Sequence, residues 1–217
     1  EITAESGLAD VVVVNTCGFI GDAKEQSIGV ILEQAERKRR GEIDRLYVTG
    51  CLVQRYKQEL AEEIDEVDGW YAFAELKDLL ASLGADYRTE LVGERLLSTP
   101  KHYAYLKISE GCDRACSYCA IPLIRGRHVS VPIETLVREA RTLADKGVKE
   151  LILIAQDLTY YGIDLYGKRR LADLIRELAR IESIRWIRLH YLYPHELDEE
   201  LIEVIATEEK IVKYIDI

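Results

Sequence analysis

Along the first third of the chain, short β-branched runs alternate with segments whose apolar residues recur every three or four positions. The runs DVVVVNTC, RLYVTGC and GWYAF predict strands, because continuous apolar runs of this length are typical of strands covered on both faces. Asp22 and Glu25 predict a capping box at the start of the first helix. Further helices are predicted from Gln54 to Ile64 and from Glu75 to Leu83. Four apolar residues form the predicted inner face of the first helix: Ile28, Ile31, Leu32 and Ala35. Strict alternation of strands and helices indicates a parallel α/β sheet.

From Tyr103 onward the same alternation starts again. The runs YAYLKIS, KELILIAQD, IRWIRLHY and VKYIDI predict four strands. Helices are predicted between them, from Pro132 to Lys146, from Leu171 to Arg180 and from Glu196 to Ala206. Four strands and three helices in this order predict the first half of a βα barrel.

The irregular, polar stretch before Tyr103 predicts the boundary between these two parts. We therefore expect an N-terminal α/β domain over residues 1–86, a linker over 87–102 and a truncated barrel domain over 103–217. The chain begins at Glu1, contains no Met and ends on the apolar run KYIDI. These features predict that it is a fragment of a longer protein.

Composition narrows the classes of function. The apolar runs, such as Val11 to Val14, are far too short to cross a bilayer, and no signal sequence is recognisable, so we expect a cytoplasmic protein. Five cysteines, an odd number, argue against a disulfide framework and favour ligands or nucleophiles. The formal net charge of −10 disfavours broad nucleic-acid binding and favours a basic partner.

Three of the cysteines lie within eight residues, in the stretch SEGCDRACSYCAIP. Cys112, Cys116 and Cys119 have the spacing C-x3-C-x2-C and follow the first predicted barrel strand. A zinc knuckle is one interpretation, but structural zinc sites are almost always closed by four ligands, and His102 and His128 are not at finger spacing. Three thiolates suit a 4Fe-4S cluster that leaves one iron open to a substrate or cofactor.

Cys17 and Cys51 each follow a predicted strand of the N-terminal sheet directly. The carboxyl ends of neighbouring parallel strands meet at one edge, so the two side chains are expected to converge. Buried core cysteines are the alternative, because free Cys behaves as a small hydrophobe. With a cluster site downstream, a second cluster is the better interpretation, and its third ligand is then expected before Glu1.

The three-cysteine loop, with Tyr118 before its last cysteine, resembles that of the radical S-adenosylmethionine (SAM) enzymes. The segments VVNTCGFI, VTGCL, HYAYLKISEGCDRACSYCAIP, AQDLTYYGIDLY and RLHYLYP are similar to the methylthiotransferases of that superfamily, most of all to the branch that modifies an aspartate of ribosomal protein S-twelve. The resemblance covers nearly the whole chain. It implies an enzyme that inserts a methylthio group at an unactivated carbon.

The same resemblance implies the cofactors and their residues. One 4Fe-4S cluster would be held by Cys112, Cys116 and Cys119, and a second by Cys17, Cys51 and an upstream cysteine that this chain lacks. SAM would bind at the open iron of the first cluster, near Tyr118 and Gln156. An electron donor and a sulfur donor are also implied.

The sequence departs from the family at some positions. The first cluster cysteine, the later barrel strands and the C-terminal RNA-binding-type domain of the family are absent, and Val131 stands where the family usually has Arg. We therefore expect the chain by itself to be inactive. Two other functions remain open: a methylthiotransferase acting on a tRNA adenosine, and a non-catalytic iron-sulfur or zinc binding module.

Overall fold

The computed structural model describes residue 7, residues 9–85, residue 97 and residues 99–217. The chain divides into two compact units. The first comprises Glu1–Tyr87 with Tyr118–Arg125, and the second comprises Arg88–Ser117 with Gly126–Ile217. Most of the predicted linker over 87–102 lies outside the described residues, and the predicted domain boundaries stay predictions.

The first unit contains a parallel sheet of three strands in the order β1, β2, β3. Helices follow each strand, as the alternating pattern predicted. The strands are β1 (Val11–Thr16), β2 (Arg45–Gly50) and β3 (Gly69–Tyr71). The helices are α1 (Gly21–Arg39), α2 (Cys51–Glu63), α3 (Leu76–Ser82) and α4 (Ile121–Arg125), with a short 3-10 helix at Phe73–Glu75.

Two details of the predicted first helix are wrong. Ile31 and Ala35 are fully buried, but Ile28 and Leu32 are exposed, so the inner face of α1 is narrower than the spacing of apolar residues predicted. The N-cap of α1 is Ile20, whose side chain cannot accept a hydrogen bond, so Asp22 lies in the first turn and the predicted capping box does not form. Asp22 still favours this helix end through the helix dipole.

The second unit contains a parallel sheet in the order β4, β7, β8 and a separate antiparallel pair, β5 and β6. The strands are β4 (Tyr103–Lys107), β5 (Ser109–Glu110), β6 (Val129–Ser130), β7 (Glu150–Ile154) and β8 (Trp186–Leu189). The helices are α5 (Ile133–Asp145), α6 (Ile163–Tyr166), α7 (Leu171–Ala179) and α8 (Glu199–Thr207), with 3-10 helices at Leu158–Tyr160 and Pro194–Glu196. The predicted parallel α/β class is confirmed.

The fourth predicted barrel strand does not form as a strand. Only Ile211 pairs with Ile187 of β8, as an isolated parallel bridge. The amide of Ile187 donates to Lys210 O, and the amide of Val212 donates to Ile187 O. A strand requires a continuous ladder of such bonds, and here the ladder stops after one bridge. Within the described residues, no helix combines the length and the apolar composition that crossing a membrane requires.

Candidate functional site

Cys17 and Cys51 lie at the same edge of the first sheet. Thr16, the last residue of β1, is paired with Gly50, the last residue of β2, and each cysteine follows directly. The parallel register therefore brings the two positions to one edge, as expected for neighbouring strands. Cys17 is exposed and Cys51, the first residue of α2, is half-buried. The Cys17 amide donates to Ser27 Oγ at 3.1 Å, which anchors the chain after β1 to α1.

Two glycines allow a close backbone approach at this edge. A Cβ on Gly18 would lie 2.5 Å from Cys51 O, and one on Gly50 would lie 2.5 Å from Thr16 O. Gly50 also has a φ of +106°, which side-chain-bearing residues rarely adopt. The segment after Cys17 and the start of α2 are thus in backbone contact, and Arg55 Nη1 reinforces that contact by donating to Gly18 O at 2.9 Å.

The three-cysteine loop begins and ends at the β5–β6 pair. Ser109 is paired with Ser130 and Glu110 with Val129, so the segment 111–128 leaves and returns at one point, which we call the neck. Gly111 has a φ of +79°, and a Cβ there would overlap Arg127 O, so the chain packs tightly just beyond the neck. The Cys112 amide donates to Gly126 O at 3.1 Å, which closes the loop one step further.

No disulfide joins any of the five cysteines. Cys112 is buried, whereas Cys116 and Cys119 are half-buried. Across residues 7, 9–85, 97 and 99–217, no three side chains of Cys, His, Asp or Glu are arranged so that they could hold a metal ion. Cys112 and Cys116 belong to the second unit and Cys119 to the first, and the assignment of the three as cluster ligands stays a prediction.

Gln156 lies just beyond the end of β7 and reaches back to the neck. Its Nε2 donates to Glu110 Oε1 at 2.9 Å, and Glu110 also pairs with Lys107. Gln156 Oε1 is buried and has no hydrogen-bond partner within the described residues. A buried acceptor without a donor is costly, so this oxygen is available to a ligand or a water molecule. Tyr118, by contrast, is 87% exposed.

Val131, which departs from the family pattern, has an apolar role here. Its side chain packs against the core of the second unit, and its carbonyl accepts a hydrogen bond of 2.6 Å from the buried Tyr161 hydroxyl. Burial raises the pKa of that hydroxyl, which therefore stays a donor.

Arg114 is a residue whose importance the sequence did not indicate. Its Nε donates to Asp157 Oδ2 at 2.7 Å and its Nη1 donates to Glu196 Oε1 at 2.9 Å. Its guanidinium carbon lies 4.1 Å from the centroid of the Tyr193 ring. The partners are distant in sequence, and the only available signal was an Arg between two candidate ligands.

His128 is buried behind the loop in a defined hydrogen-bond chain. Ser130 Oγ donates to Asp164 Oδ1 at 2.6 Å and accepts from the Gly162 amide at 2.9 Å. The contact of 3.0 Å between His128 Nε2 and Ser130 Oγ must therefore have the imidazole as donor, which assigns the proton to Nε2. Nδ1 is then a bare acceptor, and no described group donates to it.

Burial holds the pKa of His128 below its ordinary value, against the opposing effect of the Asp164, Asp113 and Asp157 carboxylates. A backbone hydrogen bond to Gly111 also favours the charged ring, but burial outweighs it. Desolvation alone would raise the pKa of Asp164, but the hydrogen bonds from Ser130 hold it below its ordinary value. At neutral pH, His128 is therefore neutral and Asp164 beside it is ionised.

We expect stability to fall as the pH drops below about 6.5, because the unfolded histidine binds a proton there and the native one does not. The stability that His128 contributes is complete above the unfolded pKa and is lost as the pH falls toward the folded pKa. Urea unfolding at a series of pH values between 7.5 and 5.5 measures this loss. In H128Q, which keeps a donor to Ser130, that part of the pH dependence should vanish. An equal loss in both proteins would contradict the assignment.

Two family models match the chain. One describes an uncharacterized protein family, UPF0004, and matches residues 1–72, and the other describes the radical SAM superfamily and matches residues 106–217. The second match spans more than half of the chain and contains Cys112, Cys116 and Cys119. The chain belongs to the radical SAM superfamily.

Several curated relatives of this radical SAM chain carry the same name. The chain is 58% identical over 220 residues to ribosomal protein uS12 methylthiotransferase RimO of Flavobacterium johnsoniae. This match covers 100% of the chain and 50% of the relative. It is 59% identical over 208 residues to the protein of the same name in Christiangramia forsetii, with 96% and 46% covered. The chain thus spans about half the length of these relatives. The predicted similarity to methylthiotransferases is confirmed.

Solved structures show the same radical SAM fold at low sequence identity. The radical SAM methyltransferase TsrM from Kitasatospora setae superimposes with a TM-score of 0.63 at 16% identity, covering 93% of this chain and 47% of TsrM. The cobalamin-dependent SAM radical enzyme OxsB superimposes with a TM-score of 0.54 at 13% identity, and the match covers 91% of this chain and 33% of OxsB. At these identities the comparison concerns the fold alone.

The donor set of this radical SAM chain fits an iron-sulfur cluster. Its thiols are unpaired by disulfides, and three of them are confined to one loop whose ends meet at the neck. Thiolates are the ligands that such clusters require. Cys112, Cys116 and Cys119 are thus ligands of the right kind for a cluster, and Gln156 Oε1 is a buried acceptor without a partner among the described residues.

Proposed function

We propose that this chain is the cysteine-bearing part of a radical SAM methylthiotransferase that modifies an aspartate of ribosomal protein uS12. The observation that carries the proposal is the identity of 58% over the full chain to a relative named as a ribosomal protein uS12 methylthiotransferase. Because the chain spans about half of such relatives, the activity belongs to the whole protein of which it forms part. The proposed domains are 1–86 and 103–217, joined by 87–102, and the proposed location is the cytoplasm.

Each group of cysteines has its own proposed role. Cys112, Cys116 and Cys119 would hold a 4Fe-4S cluster, and Cys17 and Cys51, together with a third cysteine from outside the chain, would hold another. When bound, the first cluster supplies the electron that cleaves SAM, and the second carries the sulfur to be inserted. The shared sheet edge of Cys17 and Cys51 supports their joint role, since both follow paired strand ends.

Gln156 is the proposed contact for the amino group of SAM. Its Oε1 is buried without a partner, and an ammonium group is the kind of donor that satisfies such an oxygen. The bond from Gln156 Nε2 to Glu110 orients the amide so that Oε1 faces away from the neck carboxylate. Tyr118 is proposed to lie near the adenine, where its exposed ring could stack on a base.

The net charge supports a protein substrate. A chain of net charge −10 attracts a basic ribosomal protein and repels a phosphate backbone. We therefore expect association with uS12 to weaken as salt rises, because the Debye length falls to about 8 Å at 0.15 M ionic strength.

Mass spectrometry tests the choice of substrate. The whole enzyme is incubated anaerobically with SAM, reductant and sulfide, and with either uS12 or unmodified tRNA. We expect a methylthio mass increment on an aspartate of uS12 and none on tRNA. An increment on a tRNA adenosine and none on uS12 would contradict the substrate, and the absence of any increment, with iron and sulfide bound, would favour a non-catalytic iron-sulfur module.

A further inference from the structure

Arg114, within the three-cysteine loop, joins that loop to the ends of two barrel strands. Asp157 follows β7, and Glu196 lies in the 3-10 helix that follows β8. The guanidinium donates to both, at 2.7 Å and 2.9 Å, while its face packs on Tyr193. One side chain thus connects three segments of the second unit that are distant in sequence.

These ion pairs are shielded from solvent. The Arg114 side chain is 20% exposed and that of Asp157 is 5% exposed. A buried carboxylate that loses its cation is left with an uncompensated charge, which is far more costly than losing an exposed pair. Glu196 has a second cation, Arg169, so Asp157 depends on Arg114 more strongly.

The residue before Arg114 holds the other side of the loop. Asp113 Oδ1 accepts a hydrogen bond of 3.0 Å from the His128 amide, beside the neck. The adjacent pair Asp113 and Arg114 therefore binds the loop in two directions, toward β6 and toward the ends of β7 and β8. Because both residues directly follow Cys112, the position of that sulfur depends on these contacts.

The Arg114 amide itself contacts the sulfur. It donates to Cys112 Sγ at 3.5 Å, and Cys112 is 9% exposed. Hydrogen bonds to cluster sulfurs and their burial are among the properties that set the reduction potential of an iron-sulfur centre. The Arg114 side chain holds the backbone at residue 114 in place, and it therefore also holds the amide that donates to Cys112 Sγ.

We propose that Arg114 is a positioning residue, which holds Cys112 in its buried place by binding Asp157 and Glu196 at once. The guanidinium suits this role because its planar fork presents several donors in fixed directions, whereas a lysine ammonium is a single point charge. The proposal rests on the proposed function only in assigning a cluster to this loop. The position of the thiol can be measured without the cluster.

The test is the rate at which iodoacetamide alkylates Cys112 in cluster-free protein, followed by peptide mass spectrometry. In R114A we expect the rate to rise about tenfold or more, because the buried thiol reacts through local opening and its anchoring bonds are gone. R114K should give an intermediate rise. The matched control is R188A, which removes the ion pair of 2.7 Å between Arg188 and Glu150 in the same sheet and should leave the Cys112 rate unchanged.

A second measurement separates positioning from general stability. If R114A and R188A lower the melting temperature alike and neither alters the Cys112 rate, Arg114 is only a structural residue and the proposal is wrong. If R114A does not fold, D157N replaces it, since it keeps the side-chain shape and removes the charge of the buried carboxylate that Arg114 Nε binds. A parental Cys112 rate in folded D157N would likewise overturn the proposal.

A third readout uses the loaded enzyme. Loss of iron to a chelator from the proposed cluster of Cys112, Cys116 and Cys119 should be faster in R114A than in R188A. The reduced cluster of R114A should also show an altered electron paramagnetic resonance spectrum. Failure of the proposed function, seen as absent SAM cleavage in the parent, would leave the alkylation result intact. The two failures are therefore distinguishable.

Discussion

Replacing Cys116 with alanine is expected to abolish reductive cleavage of SAM by the whole enzyme. Only three thiols lie in the loop, so the variant leaves two protein ligands for the proposed cluster. Altered supporting partners alone typically cost 10–100-fold, so loss of a ligand should cost more than about 100-fold. The measurement is 5'-deoxyadenosine formation under reducing, anaerobic conditions, with iron content determined on the same samples.

Ser117 provides the matched control for this change. It is exposed and directly follows Cys116, so S117A perturbs the same loop without removing a thiol. We expect S117A to form 5'-deoxyadenosine at the parental rate. Undiminished formation in the Cys116 variant would contradict the assignment of this loop as the cluster site, whatever the control does.

Replacing Cys17 or Cys51 is expected to separate the two halves of the reaction. C17A and C51A should cleave SAM at close to the parental rate but form no methylthio product, because the proposed radical chemistry uses only the loop thiols. The two positions share one sheet edge, so both variants should fail in the same way. Product is measured by mass spectrometry of uS12 and cleavage by chromatography of 5'-deoxyadenosine.

The chosen substitutions keep the first sheet intact. Cys17 is exposed and Cys51 half-buried, so alanine at either position removes little core packing. If either variant lost SAM cleavage as completely as the Cys116 variant, the division of labour between the two sets of cysteines would be refuted.

The local pattern predicted most elements of the fold, because β-branched runs and helical spacing act over a few residues. LILI lies in the buried strand β7, whereas VVVV lies in β1, where Val12 and Val14 are buried but Val11 and Val13 are exposed, so β1 is not covered on both faces as its sequence predicted. The errors came from interactions beyond the local pattern. The apolar spacing at Ile28 and Leu32 cannot reveal which face the sheet covers, and the run after Ile211 could not show that its ladder would stop at one bridge.

The candidate site was predictable only where it follows strand ends. Cys17 and Cys51 could be placed at one edge because parallel register aligns the ends of neighbouring strands. The contacts of Arg114 could not be predicted, since Asp157 and Glu196 lie 43 and 82 residues away and nothing local selects them. The same applies to the Nε2 proton of His128, which depends on how Ser130 uses its hydroxyl.

The neck between β5 and β6 has a consequence for how metal would enter the loop. Ser109 and Ser130 hold both ends of the segment 111–128 together, so the cost of closing that loop is met by folding. Once one thiol has captured iron, the others are at a high effective concentration, because they share a short closed segment and not a free chain. Assembly of a cluster would thus depend little on the concentration of protein.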